Sequence, residues 1–217
     1  SAGEVSYIID HSDAKVVVVD SEFAALINPH QLPKVQTYVT VCDVSDEKVQ
    51  GGMEYEAFLN TGSPEPVAAD IDSEEQLMTI NYTSGTTGRP KGVMYHHRGA
   101  YLNAMGEVLE SGLNVRSVYL WTLPMFHCNG WCFPWTMSVI GGTHVCLRQV
   151  RTKPIWDALA DHKVTHLCGA PIVMSTILGA PEEEKRELDH TVQFFTAAAP
   201  PPEASGPWSA GCSPRWP

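Results

Sequence analysis

Along this chain short β-branched or alternating apolar runs give way repeatedly to apolar positions at helical spacing, and the two kinds of segment take turns. "SAGEVSYIIDHSDAK" (1–15) reads as a helix, and "KVVVVD" (15–20) as the buried parallel strand that follows it. Residues 21–75 carry weaker signals and close in "NTGSPEPVAADIDSEE" (60–75), a Pro- and acid-rich surface connection. "QLMTINYTS" (76–84) then predicts a strand running into a Gly-rich loop. "RGAYLNAMGEVLESG" (98–112) predicts a helix whose apolar positions are Tyr101, Leu102, Met105, Val108 and Leu109.

The alternation continues to the end. "SVYLWTLP" (117–124) and "THVCLRQV" (143–150) read as strands and "KPIWDALADHK" (153–163) as a helix. "VTHLCGAP" (164–171) reads as a strand, "PIVMSTILGA" (171–180) as a helix and "TVQFFTAAA" (191–199) as a strand. Strands interleaved with helices predict an α/β fold, a mostly parallel layered sheet flanked by helices, with the loops at the strand C-terminal ends free to meet a ligand. Residues 204–217 break the pattern, with Pro-flanked turns and no period, and read as an irregular tail. The chain opens without Met, directly on a helix and strand, and so reads as cut from something longer.

Composition narrows the function classes. At 217 residues and 43% hydrophobic, the chain can bury one sizeable core. A formal charge of −11, with 14 scattered basic residues, argues against nucleic acid as a partner, so any phosphate must be bound locally. Cys42, Cys128, Cys132, Cys146, Cys168 and Cys212 form no CxxC pair and read as free thiols. No basic start followed by an apolar run is present, nor any apolar run of membrane-spanning length, and the expected compartment is the cytoplasm.

The chemistry concentrates in "YTSGTTGRPKG" (82–92). Gly85 and Gly88 permit positive φ and leave N–H groups uncovered, Thr83, Ser84, Thr86 and Thr87 supply hydroxyls, and Lys91 supplies a mobile positive charge. Together they can wrap a polyphosphate. The spacing is not that of a Walker A loop: the glycines stand three apart, and Gly92 follows Lys91 where a Ser or Thr is needed. His96, His97, Cys128 and Cys132 match no common zinc spacing; a helix starting after Pro90 accounts for the polar residues there.

"YTSGTTGRPKG" resembles the phosphate-loop signature of the adenylate-forming (AMP-binding) enzymes, the superfamily of acyl-CoA synthetases, peptide synthetase adenylation domains and luciferases. "LPMFHCNGWCFPW" (123–135) resembles the next motif of that family, in its fatty acyl-CoA synthetase branch. "THLCGAPIVMSTIL" and "FFTAAAPPP" are similar to segments bordering the acyl pocket and the adenine site. The resemblance covers residues 1 to about 203, part of the large N-terminal domain. It implies an ATP-dependent ligase that converts a medium- or long-chain carboxylic acid to acyl-AMP and passes it to CoA, with ATP, Mg²⁺ and CoA consumed or required, a small carboxylic acid as partner and a possible homodimer.

By the same resemblance, Thr83, Ser84, Gly85, Thr86, Thr87, Gly88 and Lys91 embrace the β- and γ-phosphates, with Thr83 near Mg²⁺ and Lys91 offsetting charge. His127 orients the acyl carboxylate, and Trp131 gates the acyl tunnel, whereas Phe133 and Trp135 read as core aromatics. Gly169, Ala198 and Ala199 line the nucleotide or acyl site through backbone atoms. The family's Mg²⁺-holding Glu, its ribose Asp and its C-terminal Lys find no match in residues 1–217, which predicts that this chain alone is inactive. The alternative is a truncated nucleotide-binding module without turnover.

Overall fold

Ser1 and Glu4 close a capping box on α1 (Ala2–His11), and Val5 and Ile9, one helical turn apart, pack onto the core built around β1 (Val16–Asp20). In the computed structural model, residues 1–83 and 88–196 are described. The chain divides into two compact units, Ser1–His96 and His97–Pro217. The tail expected over 204–217 lies outside the described residues.

In the first unit β1, β2 (Thr37–Val41) and β3 (Met53–Glu54) form a parallel sheet in that order, followed by α2 (Tyr55–Leu59). The valine run is not buried throughout, contrary to its sequence reading. Val17 is buried while Val16 and Val18 are exposed, because β1 lies at the end of the sheet and its pleat turns alternate side chains away from the core. Strand β2, within the stretch of weaker signals, is made of β-branched and aromatic residues; it pairs in register with β1, and Val39 and Thr40 are fully buried there.

A second correction concerns the Gly-rich segment. It leads not directly into a helix but into a further strand, β5 (Gly92–His96), antiparallel to β4 (Leu77–Tyr82). His96 therefore ends a strand and His97 begins α3 (His97–Ser111). The Gly-rich segment thus stands in sequence between two antiparallel strands.

In the second unit β6 (Val118–Trp121), β7 (Thr143–Cys146), β8 (His166–Gly169) and β9 (Gln193–Thr196) make a wholly parallel sheet in the order β7-β6-β8-β9. The short turn α4 (Cys128–Trp131) and α5 (Phe133–Ile140) follow β6. α6 (Thr152–Asp161) and α7 (Pro171–Leu178) flank β8 in sequence. Alternation along β6 sorts the layers. Leu120 joins Ile155, Leu159, Leu167 and Ile177 on the α6–α7 face, and Tyr119 and Trp121 join Phe133, Met137 and Cys168 on the α5 face. The sheet is thus covered on both sides, as a parallel sheet must be. Trp156 Nε1 donates to the Ile177 carbonyl at 3.2 Å and locks α6 to α7.

α3 buries Ala100 and Ala104, whereas Tyr101, Leu102 and Leu109 of the expected apolar face are exposed. Small residues permit the close approach of α3 to α5. Half-buried Glu107 on α3 has its carboxyl pushed up by burial, against a hydrogen bond with Ser111 that acts the other way. A raised carboxyl pKa costs stability as the pH climbs above the unfolded value of 4.5, and costs nothing below it. Glu107→Gln is therefore expected to raise the melting temperature at pH 7, with the gain vanishing below pH 4.5. Parallel melting curves at the two pH values check this.

Candidate functional site

The order β7-β6-β8-β9 fixes where a ligand can enter the second unit. The chain runs from β6 outward to β7, then crosses back to place β8 on the other side of β6. The loops leaving β6 and β8 at their C-terminal ends consequently part in opposite directions, and in open α/β sheets a ligand crevice is expected at such an edge. Thr122, just past β6, donates its hydroxyl to the Cys168 carbonyl in β8 and pins the rim of this edge. Residues 122–132 form one lip and Gly169 the start of the other.

The first lip has an unusual backbone. Cys128, Asn129, Gly130, Trp131 and Cys132 all have positive φ, between 48° and 65°, so α4 is a left-handed turn. Each non-glycine residue in that conformation costs about 1–2 kcal/mol. The hydrogen bonds His127 N to Pro124 O, Gly130 N to His127 O and Cys132 N to Asn129 O hold the turn together. Tertiary packing holds it in place. A Cβ on Gly130 would stand 2.6 Å from Trp121 Cζ3 and 2.9 Å from Cη2, so the buried indole packs close against the bare Cα. That indole is itself fixed: Nε1 donates to His144 Nδ1 at 2.9 Å, and its ring meets Tyr119 edge-on at 5.0 Å. Since an indole N–H only donates, Nδ1 of His144 accepts and its ring proton sits on Nε2.

The turn leaves His127 exposed at the rim, with Nε2 3.9 Å from Cys128 Sγ, and Trp131 half-buried against the cluster of Tyr119, Trp121 and Phe133. Phe133 is core, as expected, whereas Trp135 is only partly buried. Burial pushes up the thiols of Cys132 and Cys168, the first opposed by a hydrogen bond with Asn103, so both behave as apolar core groups. On the second lip, Gly169 pairs in register with Thr196, and a Cβ there would meet Val173 of α7 at 2.8 Å. Ala198 and Ala199 follow Thr196 but lie outside the described residues.

The first unit holds the other set of candidate groups. Tyr82 pairs with Gly92 at the end of the β4–β5 ladder. Just beyond it, Thr83 N donates to Lys91 O at 3.0 Å and Lys91 N donates to Thr83 Oγ1 at 3.1 Å. These two bonds close the base of the loop and bring the Thr83 hydroxyl and Lys91 together. Gly88, Arg89 and Lys91 are exposed, while Ser84, Gly85, Thr86 and Thr87 lie outside the described residues. A threonine hydroxyl beside an exposed lysine at a hairpin tip can receive an anionic chain of oxygens.

A family described as AMP-binding enzyme matches residues 1–213. The chain belongs to the AMP-binding enzyme family. It is 42% identical over 219 residues to a peroxisomal acetate/butyrate–CoA ligase of Arabidopsis thaliana, a match covering 93% of this chain and 38% of that protein. To an acetate–CoA ligase of Humulus lupulus it is 41% identical over 219 residues, covering 93% of this chain and 39% of that one. The chain thus spans well under half the length of these relatives. The inhibitor-bound N-terminal domain of FACL13 from Mycobacterium tuberculosis shares its fold, with a TM-score of 0.79 at 24% identity, covering 94% of this chain and 50% of that one. The α/β fold and the AMP-binding family read from the sequence both hold for this chain.

Sequence reading missed the groups that support the candidate residues. Trp121 lay in a stretch read only as a strand and His144 in another, and no spacing relates them. Gly130 stood inside the quoted motif, where a glycine between bulky residues was the one available signal of a close backbone approach.

Proposed function

We propose that this chain is the phosphate- and carboxylate-contacting part of an ATP-dependent, AMP-forming acid–CoA ligase whose acid is a short aliphatic carboxylate. The observation that carries the reading is the pairing of Thr83 and Lys91 across the hairpin base, in a chain of the AMP-binding family. A carboxylate is a poor acyl donor because oxide would have to leave. Its oxygen therefore attacks the α-phosphorus of ATP, forming the acyl–phosphate bond and breaking the bond to the β-phosphate, whose electrons depart with pyrophosphate. The CoA thiol then attacks the acyl carbon, AMP leaves with its oxygen, and the thiol proton is released.

Lys91 offsets the charge that accumulates on the departing pyrophosphate, and residues 83–88 donate to its oxygens. Mg²⁺ takes hard oxygen ligands and keeps waters and substrate phosphates around it, which fits a donor set of one hydroxyl. Thr83, whose Oγ1 retains a free lone pair after accepting from Lys91 N, would hold it; the ion supplies neutralisation of phosphate charge. His127 orients the acid's carboxylate, and Gly169, Ala198 and Ala199 line the site with backbone.

The short-chain assignment draws on the acetate and butyrate in the names of the two relatives. The medium- or long-chain reading draws on resemblance at His127 and Trp131. A half-buried indole at the crevice rim supports a limit on acid length. In the complete enzyme, Trp131→Ala is expected to shift the preference toward longer acids and change the acid KM, with ATP KM unchanged. A fully buried Trp would instead cost about 3–5 kcal/mol on truncation, so a large fall in melting temperature with unaltered selectivity counts against the gate. Thioester formation by the complete enzyme across acids of increasing length, with ATP, Mg²⁺ and CoA, tests the proposal; turnover confined to long acids would overturn the short-chain assignment. None of the described helices is long and apolar enough to cross a membrane. The expected cytoplasmic location has a rival in the peroxisome of the Arabidopsis relative, and imaging of a tagged protein separates the two.

A further inference from the structure

Tyr7 and His11 stand one turn apart on α1, so they share a face, with ring centroids 5.2 Å apart. This is not the face that buries Val5 and Ile9. His11 Nδ1 lies 2.7 Å from the Tyr82 hydroxyl, and the two rings meet edge-on at 5.7 Å. The Tyr7 hydroxyl donates to the Pro90 carbonyl at 3.3 Å, and the Arg89 guanidinium sits 5.3 Å from the Tyr7 ring centroid. Tyr82 is the residue before Thr83, and Pro90 the residue before Lys91. One helix face, 71 and 83 residues distant in sequence, therefore grips the loop immediately before both of its paired groups.

We propose that Tyr7 and His11 are positioning residues for the phosphate-binding loop, holding Tyr82 and Pro90 so that Thr83 and Lys91 are already placed when a nucleoside triphosphate arrives. This rests on the nucleotide-binding reading above. The physical reason is entropic. Groups that are placed before a ligand arrives need not be ordered by it, so each tether on the residues next to Thr83 and Lys91 lowers the cost of binding. The hairpin ladder ends at Tyr82 and Gly92, so only the Thr83–Lys91 bonds and the α1 face restrain what lies beyond it among the described residues. The His11–Tyr82 bond tolerates either state of the imidazole, because a phenol both donates and accepts. Burial also pushes the Tyr82 hydroxyl up, with Tyr7 and Asp13 adding to the effect, so it keeps its proton at neutral pH.

The test is MgATP affinity of the full chain by calorimetry, alongside KM values for ATP and acid where turnover is measured. His11→Ala and Tyr82→Phe are each expected to weaken MgATP binding about fivefold, the worth of one hydrogen bond. The double variant should lose no more than either single one, because both remove the same bond. His11→Asn, whose amide can stand near the Nδ1 position, should restore most of the affinity, and the acid KM should stay constant throughout. Tyr7→Phe, which keeps the ring under Arg89 and deletes only the bond to Pro90, gives an independent second reading in the same direction. Wild-type affinity in both His11→Ala and Tyr82→Phe would overturn the proposal, as would equal losses for ATP and acid that track melting temperature. A wild-type chain that binds no MgATP would instead overturn the nucleotide reading itself, and the positioning role with it.

Discussion

Lys91→Ala in the complete enzyme is expected to slow acyl-adenylate formation by about a hundred- to a thousandfold, the range found when one preorganised donor to developing charge is removed, while thioester formation from preformed acyl-AMP stays within a few-fold of the parent. The asymmetry follows from timing. Pyrophosphate departs in the first half-reaction only, and Lys91 emerges at the base of the hairpin tip, fixed by its backbone bonds to Thr83. The loss should fall on kcat for adenylation at least as much as on ATP KM, because charge on the bridging oxygen grows toward the transition state. Pyrophosphate exchange measures the first step and CoA-dependent release of AMP the second. Equal losses in both steps, or none, would remove Lys91 from this role. The fold should be indifferent, since the side chain is exposed and the bonds to Thr83 use backbone atoms of Lys91.

The second large effect is expected at Gly130. Gly130→Ala puts a Cβ 2.6 Å from Trp121 Cζ3 and 2.9 Å from Cη2, at a φ of +56° that disfavours any side chain. Trp121 cannot give way cheaply, being buried, hydrogen-bonded to His144 and packed on Tyr119. Overpacking and the left-handed penalty together suggest a loss of about 2–5 kcal/mol. What moves is then the turn, and with it His127 and Trp131. We expect a lower melting temperature and an acid KM raised at least tenfold, with ATP affinity little changed. Trp121→Phe combined with Gly130→Ala makes room for the methyl group and should recover part of the loss. An unchanged acid KM in a destabilised Gly130→Ala protein would show that Gly130 serves packing alone.

Much of this protein was legible in its sequence. The alternation of β-branched runs with helical periods gave the α/β class and most strand and helix positions in the second unit, because a buried parallel strand and an amphipathic helix such as α6 each carry their burial in their own residues. The hydroxyl- and glycine-rich run suggested phosphate chemistry without any fold, since its candidate donors stand within one short stretch of sequence. Long-range pairing escaped the sequence. The pairing of β2 with β1 and the folding of β5 back on β4 are such contacts, and a strand rather than a helix follows the Gly-rich segment. The apolar positions of α3 misled because closeness to α5 rewards alanine over leucine there.

The supports of the candidate site were decided by tertiary structure alone. Nothing in the spacing of Tyr7, His11, Tyr82 and Pro90 joins them, since their relation is a geometric meeting of α1 with the hairpin. In the left-handed turn at 128–132 only Asn129 and Gly130 suit that conformation, whereas Cys128, Trp131 and Cys132 would each prefer another. It persists where a buried indole, set by β6 and held by His144, leaves room for the bare Cα of Gly130 and little else. Sequence determines which groups can do chemistry, because hydroxyls, amines and imidazoles are properties of single residues. Their distances depend on which strands pair and in what order, and that is settled only when the whole core is packed.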